Sequence, residues 1–471
     1  MATNNSVGGT QYVSFLTDYN LRQISLHTSM TGTNSVIDLM TLMVEFDLYE
    51  DIYSSSITGE IVINDALGLI SNYLLNGTEF VQIKLQKTTN DSLLSGNYRV
   101  YKISKRQISD SNQYEVYVLN FCSEELLLSE NYRLSKSAKG KQIHEIIIDV
   151  LTNYLKTKKN LYWEPTKGVY DFILPNKKLF ETINWLSTYA QPISGNGADM
   201  LFYENSQGYH FHSLQSLYKQ KPYQTYKFDP KNILNTPGKI DIQQQLTNVF
   251  DFEMLNFFDT LDAASNGTFA NKVIGIDVLK RETTTGFFTY NNYTGTKLNK
   301  QPLINSYQDR LKTTIGTVPT RTPAGLEMGV LRMSPSNRDN KKNVYVSQKP
   351  DSINSVANDI MLEKYLPNRV SQLALANYMR LKITVAGDPN LMVGSVITFN
   401  TFGINPVTFS QTGAERTPDP LYSGNYLVTA VRHIIKNNGY ITVLEICKDS
   451  VTVSYSNNNS GLQQFIDGVQ I

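Results

Sequence analysis

Ser95-Gly96-Asn97-Tyr98 recurs near the other end of the chain as Ser423-Gly424-Asn425-Tyr426, and an internal repeat is the first thing to read in a long sequence. In the first copy Tyr98, Val100, Tyr101 and Ile103 lead through Ile108 to a polar stretch at 109–113, then to Tyr114, Val116, Val118 and Cys122. In the second, Tyr426, Val428 and Val431 lead through Ile434 and Ile435 to a polar stretch at 436–439, then to Tyr440, Thr442, Leu444, Ile446 and Cys447. Roughly alternating arms joined by Asn, Ser and Gly make a β-hairpin. The copies differ mostly in the turn, where length costs little. An apolar strand precedes each hairpin, at 80–85 and at 396–399. A tetrapeptide alone recurs by chance about as often as not in a β-rich chain. The longer order of glycine, tyrosine, strand, turn, tyrosine, strand and cysteine is a stronger signal. It is marked by Gly96, Tyr98, Tyr114 and Cys122, then by Gly424, Tyr426, Tyr440 and Cys447, and it predicts two copies of one small antiparallel barrel. Closure would remove exposed strand edges.

Working outward, residues 42–49 and 58–64 alternate well enough to pair and complete the first barrel. Residues 249–257 and 269–277 open a second barrel that resumes only after a long excursion, so it is split. Between the barrels Ile143, Ile146, Ile147, Val150, Leu151 and Tyr154 form one apolar stripe at helical spacing. Pro175 and Asn176 start a second expected helix carrying Leu179, Ile183, Leu186 and Ala190, and Asn205–Gly208 connects a further hairpin. Residues 290–350 are polar and broken by glycine and proline, and a helix is expected around 371–378. The resulting division is a first barrel over 1–128, an α+β middle domain over 129–239, the second barrel over 240–289 and 381–454 with an insertion of loops and a helix at 290–380, and a flexible tail at 455–471. The expected fold class is mainly β with an α+β insertion.

The chain has 471 residues, long enough for several domains. Forty-three Lys and Arg stand against forty-two Asp and Glu, a balance that argues against coating nucleic acid or an anionic membrane. Twenty-nine Tyr and twenty Phe beside two Trp suit strands joined by polar turns. Two cysteines so far apart make neither a disulfide framework nor a zinc knuckle. No long apolar run exists to span a membrane, and the first residues do not read as a secretory leader.

Motifs for catalysis are missing, and no cofactor is expected. The stretch 294–297 lacks the glycine and hydroxyl of a phosphate-binding loop, and Gly195 and Gly197 lack a third glycine. His210 and His212 share one side of a strand and could hold a metal, but no third ligand lies nearby, so packed histidines are the ordinary reading. Glu124, Glu125 and Glu145 read as solvated, and the basic run 156–159 as a helix C-terminus favoured by the dipole. The expectation is therefore a non-enzyme.

Three stretches resemble the central hub of contractile-tail baseplates in T4-type phages, related to the hub part of type VI secretion valine-glycine repeat proteins. They are residues 44–47 through 59–63, 98–100 and 121–124 to the helix at 141–155; residues 184–186, 202–204 and 208–214; and residues 258–261, 267–271 and Asp277 with Gly394 and 423–428. The resemblance implies two tube-like barrels per chain and a homotrimer whose six barrels meet a tail tube protein on one face and a trimeric spike on the other. It also implies a place in the virion baseplate assembled in a host cytoplasm, no membrane, and a channel through which tape-measure protein and DNA pass. The chain lacks an oligonucleotide-fold barrel, a lysozyme module or a β-helix, so the spike is expected to be a separate polypeptide, and the 290–350 insertion could meet wedge proteins. The rival readings are a virion-associated cell-wall hydrolase and a carbohydrate-binding tail protein.

Overall fold

The computed structural model describes residues 19–30, 33–87, 93–109, 113–194, 199–228, 246–257, 259–278, 281–289, 295–302, 326–332, 362–402, 418–419, 421–436 and 439–452. The first quarter of the chain builds β1 (Tyr19–Met30), β2 (Thr33–Asp38), β3 (Met43–Asp51), β4 (Thr58–Asp65), α1 (Leu69–Tyr73), β5 (Phe80–Lys87), β6 (Leu93–Ile108) and β7 (Glu115–Cys122). Strand alternation decides what is buried. Val81, Ile83 and Leu85 of β5 and Ile61 and Ile63 of β4 point into one core with Phe46, Leu48, Tyr117 and Phe121. Each such side chain contributes about 1.5–3 kcal/mol when fully buried.

The middle domain follows with α2 (Glu124–Asn131), β8 (Arg133–Lys141), α3 (Ile143–Asp149), a π-helical turn (Val150–Tyr154), β9 (Asn160–Trp163), β10 (Tyr170–Lys178), α4 (Leu179–Ser187), β11 (Met200–Asn205), β12 (Gly208–Ser213), α5 (Leu214–Tyr218) and β13 (Thr225–Phe228). A reciprocal cap between Gln142 and Glu145 starts α3, so Glu145 is engaged at the helix start. The helix then passes into the π turn, whose wider step joins Leu155 N–H to the Val150 carbonyl. The second helix starts later than Pro175 and Asn176 predict. Both lie in β10, where pairing with β8 shifts register between Leu174 and Lys177, and a proline at such a bulge removes no ladder bond. Ala190 lies beyond α4 but is fully buried.

The remainder builds β14 (Val249–Phe257), α6 (Thr260–Ser265), β15 (Ala270–Asp277), β16 (Glu282–Thr289), β17 (Gln301–Pro302), β18 (Leu326–Arg332), α7 (Leu362–Ala376), β19 (Met379–Ala386), β20 (Val396–Thr401), β21 (Gly424–Lys436), β22 (Gly439–Lys448) and β23 (Ser450–Val451). The helix expected near 371–378 begins about two turns earlier. β15 does not pair with β14 or β19. It lies between β16 and β18 in a separate three-stranded sheet. Much of 290–350, the tail from 453, Gly195, Gly197, and the hairpin residues 110–112 and 437–438 lie outside the described residues.

The mainly β architecture with an α+β insertion is therefore what the chain adopts. Its central feature is one mostly antiparallel sheet of thirteen strands running β14-β19-β22-β21-β3-β4-β7-β6-β5-β1-β2, with β20 and β13 attached beside β21. Among the described residues this path is open, and its two barrel-like modules are continuous through β21 and β3 instead of separately closed. The cores are shared across that join: Ile435 and Tyr440 pack with the first module, and Ile52 packs with the second.

Candidate assembly interface

The two modules agree strand by strand. The order β3-β4-β7-β6-β5 in the first is matched by β14-β19-β22-β21-β20 in the second. In the first, Ile83, Gln82 and Val81 face Gly96, Asn97 and Tyr98. In the second, Phe399, Thr398 and Ile397 face Gly424, Asn425 and Tyr426. The next pairs also coincide, Arg99 with Cys122 and Leu427 with Cys447, and each ladder then breaks at the same step, between Val100 and Lys102 and between Val428 and Ala430. A one-residue slip would turn every side chain to the wrong face, so shared register and a shared bulge specify one fold twice. The copies diverge at the outer strand, where β1 pairs antiparallel and β13 parallel.

The signature residues follow this equivalence with one exception. Tyr98 and Tyr426 are buried in their respective cores, and Cys122 and Cys447 are buried free thiols whose pKa values burial raises, that of Cys122 to about 11. A Cβ at Gly96 would lie 2.5 Å from the Tyr98 hydroxyl oxygen, so the ring covers the glycine two residues before it. Gly424 has φ +137 and its vacant side faces Asn299 Oδ1. Tyr114 and Tyr440 are the exception: Tyr114 is 49% exposed, whereas Tyr440 is 1% exposed and its hydroxyl lies 2.8 Å from His433 Nδ1.

One half of β21, Ala430–Lys436, pairs antiparallel with β3 from Asp51 back to Glu45 and joins the modules. Arg432 donates through Nε to Asp47 Oδ1 at 3.1 Å and through Nη2 to Asp47 Oδ2 at 3.0 Å, lies 5.5 Å from the Tyr49 ring centre, and Lys436 Nζ reaches Glu45 Oε1 at 3.1 Å. Among the described residues the same positions elsewhere are open: the equivalent half of β6, residues 102–108, pairs only with β7, and β14 pairs only with β19. No residue of 102–108 is buried, and β14 buries only Val249. Lys102, Lys105 and Arg106 stand on the β6 edge, whereas Asp251 and Glu253 stand on β14 where Glu45 and Asp47 stand on β3. Exposed apolar side chains accompany both, Tyr101 and Ile108 on one, Phe250, Met254 and Leu255 on the other.

Behind the join, buried charges tie the modules to the middle domain. Lys159 Nζ lies 2.7 Å from Glu125 Oε2 and 2.5 Å from Glu204 Oε1. Glu204 also accepts from Ser123 Oγ at 2.9 Å and from the Ile57 backbone N–H at 3.0 Å. Burial opposes the Lys159 ammonium, yet the two carboxylates outweigh it and raise its pKa. Glu125 is thus not the solvated group that the sequence suggests, and Lys159, read as one of a basic run at a helix C-terminus, is instead held by two carboxylates; each is partnered across more than thirty residues. Glu50 on β3 accepts from Ser206 Oγ and, at 2.8 Å, from Ser206 N–H with one oxygen, and from Val393 N–H at 3.1 Å with the other. Burial pushes its pKa up to about 7, against those hydrogen bonds. Glu204 falls in the 202–204 stretch that carries the hub resemblance, without a role read for it, and no sequence signal marked Glu50. Glu124 is exposed and bridges Arg99 at 2.7 Å.

His210 and His212 do lie on one side of β12, with ring centres 5.8 Å apart. Among the described residues no group of three His, Cys, Asp or Glu side chains could hold a metal. No helix among them is long and apolar enough to cross a membrane.

No family model matches the sequence. The chain is 20% identical, over 87% of its length and 90% of the relative's, to a protein of Vibrio phage KVP40 named a probable baseplate hub protein, gp334. Its fold is that of a tail protein from Neisseria meningitidis MC58, with a TM-score of 0.50, 9% identity, and 92% and 97% of the two chains covered. A 43 kDa tail protein of prophage MuSo2 from Shewanella oneidensis also aligns, with a TM-score of 0.49, 7% identity, and 91% and 99% covered. The name of the Vibrio phage relative agrees with the hub resemblance read from the sequence.

Proposed function

We propose that this chain is the structural hub of a phage tail baseplate, and that three copies join head to tail into a ring of six modules. One observation carries the proposal: each chain holds the module twice, joined by an antiparallel β21–β3 seam, and among the described residues the equivalent strands β6 and β14 are left open. Transferring the seam to a neighbour sets residues 102–108 of one copy antiparallel to 251–257 of the next. Basic then meets acidic, and the exposed apolar side chains of both edges leave water. An interface whose two patches differ closes when its rotation divides a full turn. Three chains suffice for six modules. Edge strands left as open templates are a liability in a monomer, so their retention here favours a partner.

In this reading the ring receives a hexameric tail tube on one face and a separate trimeric spike on the other, and encloses the path of tape-measure protein and DNA. Its role is mechanical. Among the described residues the buried carboxylates Glu50, Glu125 and Glu204 are engaged in structural bonds.

The test is the mass of the purified chain in solution, alone and with a co-expressed spike. A particle of three chains in either sample supports the proposal, and a stable monomer in both rejects it.

A further inference from the structure

A cleft of about 910 Å³ lies between the middle-domain strands and the loop that leads into β20, within the roughly 300–1,000 Å³ range of small-ligand sites. Its floor is an aromatic ladder. Tyr203 faces His210 across β11 and β12, and His210 faces Tyr162 across β12 and β9. The rings stack nearly parallel, Tyr203 on His210 at 5.1 Å and 7°, Tyr162 on His210 at 4.7 Å and 15°. Tyr162 and Trp163 are 40% and 46% exposed. Tyr162 faces the cleft beside His210, whereas Trp163, one residue on along β9 and opposite Phe211, turns to the other face of the sheet, so it is the Tyr162 ring that offers flat apolar surface to a ligand.

The polar groups around this floor are almost all uncharged. The lining has no carboxylate and a single cation, Lys221. Gln207, Gln220 and Asn390 contribute amides, which both donate and accept. Burial lowers the pKa of both histidines, that of His210 to about 4, so both stay neutral near pH 7. His210 Nε2 is engaged with Asn205 Oδ1 at 2.9 Å, whereas His212 has no hydrogen-bond partner among the described residues. The lining offers a charged ligand one cation and no carboxylate, and its amides and His212 offer hydrogen bonds that a purely apolar ligand would not use.

We infer that this cleft is a binding site for a neutral oligosaccharide, a ring face of which stacks on Tyr162 while its hydroxyls exchange hydrogen bonds with the amides and His212. Sugar rings present both an apolar C–H face and hydroxyls that donate and accept, which is the combination that an aromatic floor with an amide rim meets. The site is independent of the ring proposal. Neither open edge, β6 or β14, contributes to its lining.

The full chain is titrated by calorimetry with two uncharged probes, chitotriose and maltotriose, which differ in carrying N-acetyl groups. Saturable binding of either is expected, weakened about tenfold or more in Tyr162→Ala and in His212→Ala, while thermal unfolding midpoints stay close to that of the parent. The preference between probes tells whether the N-acetyl group is read. Absence of saturable binding to both probes, or binding that neither substitution weakens, overturns the proposal. So does saturable binding of a neutral proline-rich decapeptide with no response to either sugar.

Discussion

Glu50 illustrates how much one buried carboxyl controls. Its two oxygens hold the β11–β12 turn at Ser206 and the cleft loop at Val393 against β3. Its folded pKa of about 7 is above its ordinary value of 4.5, so the native state holds the proton more tightly than the unfolded chain does. The contribution is then full below pH 4.5 and is lost as pH rises through 7. We expect the stability of the parent, relative to Glu50→Gln, to fall between about pH 4.5 and pH 7 and to be flat on either side; denaturant midpoints across that range measure it. Lys159 carries the opposite sign of charge and a larger penalty. Lys159→Met leaves Glu125 and Glu204 buried beside each other without a cation, and breaking a buried pair from one side costs about 3–5 kcal/mol. Urea unfolding at pH 7 reads that loss. Recovery in the triple substitution with Glu125→Gln and Glu204→Gln would show that the unpaired charge, not lost packing, is responsible.

At the scale of elements the open edges decide. The β21–β3 seam shows what a satisfied edge looks like, with Arg432 held by Asp47 and little of either strand exposed. β14 and the outer half of β6 present the same backbone with no described residue paired against it. Reversing charge on β14 with Asp251→Lys and Glu253→Lys places cations at the end of the edge where Lys105 and Arg106 stand. Light scattering should then report monomers, and adding Lys105→Glu and Arg106→Glu should restore the larger particle. Failure of the second set to restore what the first removes would assign the loss to something other than edge pairing. Like charges placed face to face cost several kcal/mol of association, so the change should be large at low salt and smaller at high salt.

At the scale of the whole molecule, the shared cores predict how the modules unfold. Ile435 and Tyr440 belong to the second copy by sequence but pack in the first core, and Ile52 does the reverse. Removing the Tyr440 ring should cost about 3–5 kcal/mol, the usual range for an aromatic-to-alanine change in a core. Calorimetry should show the two modules shifting together in one transition, because the cavity lies where their sheets are continuous. Two separate transitions, with only one moved, would mean that the join is a hinge.

The sequence by itself determined the mainly β class and pointed to the repeat, because period-two alternation, turn residues and the glycine–tyrosine pair are properties of neighbouring residues. The apolar stripe from Ile143 likewise announced its helix. Local reading failed where a local preference met a distant partner: Pro175 was absorbed at a bulge in β10, and β15 alternates like a barrel strand but pairs with β16 and β18. Glu125 and Lys159 read as surface charges because Glu204, which buries with them, comes much later in the chain. The tertiary structure alone decided that the two modules form one sheet, which edges stay open and where the aromatic cleft lies. Each of those depends on backbone hydrogen bonds and buried charges between segments far apart in sequence, and such pairings leave no period to read.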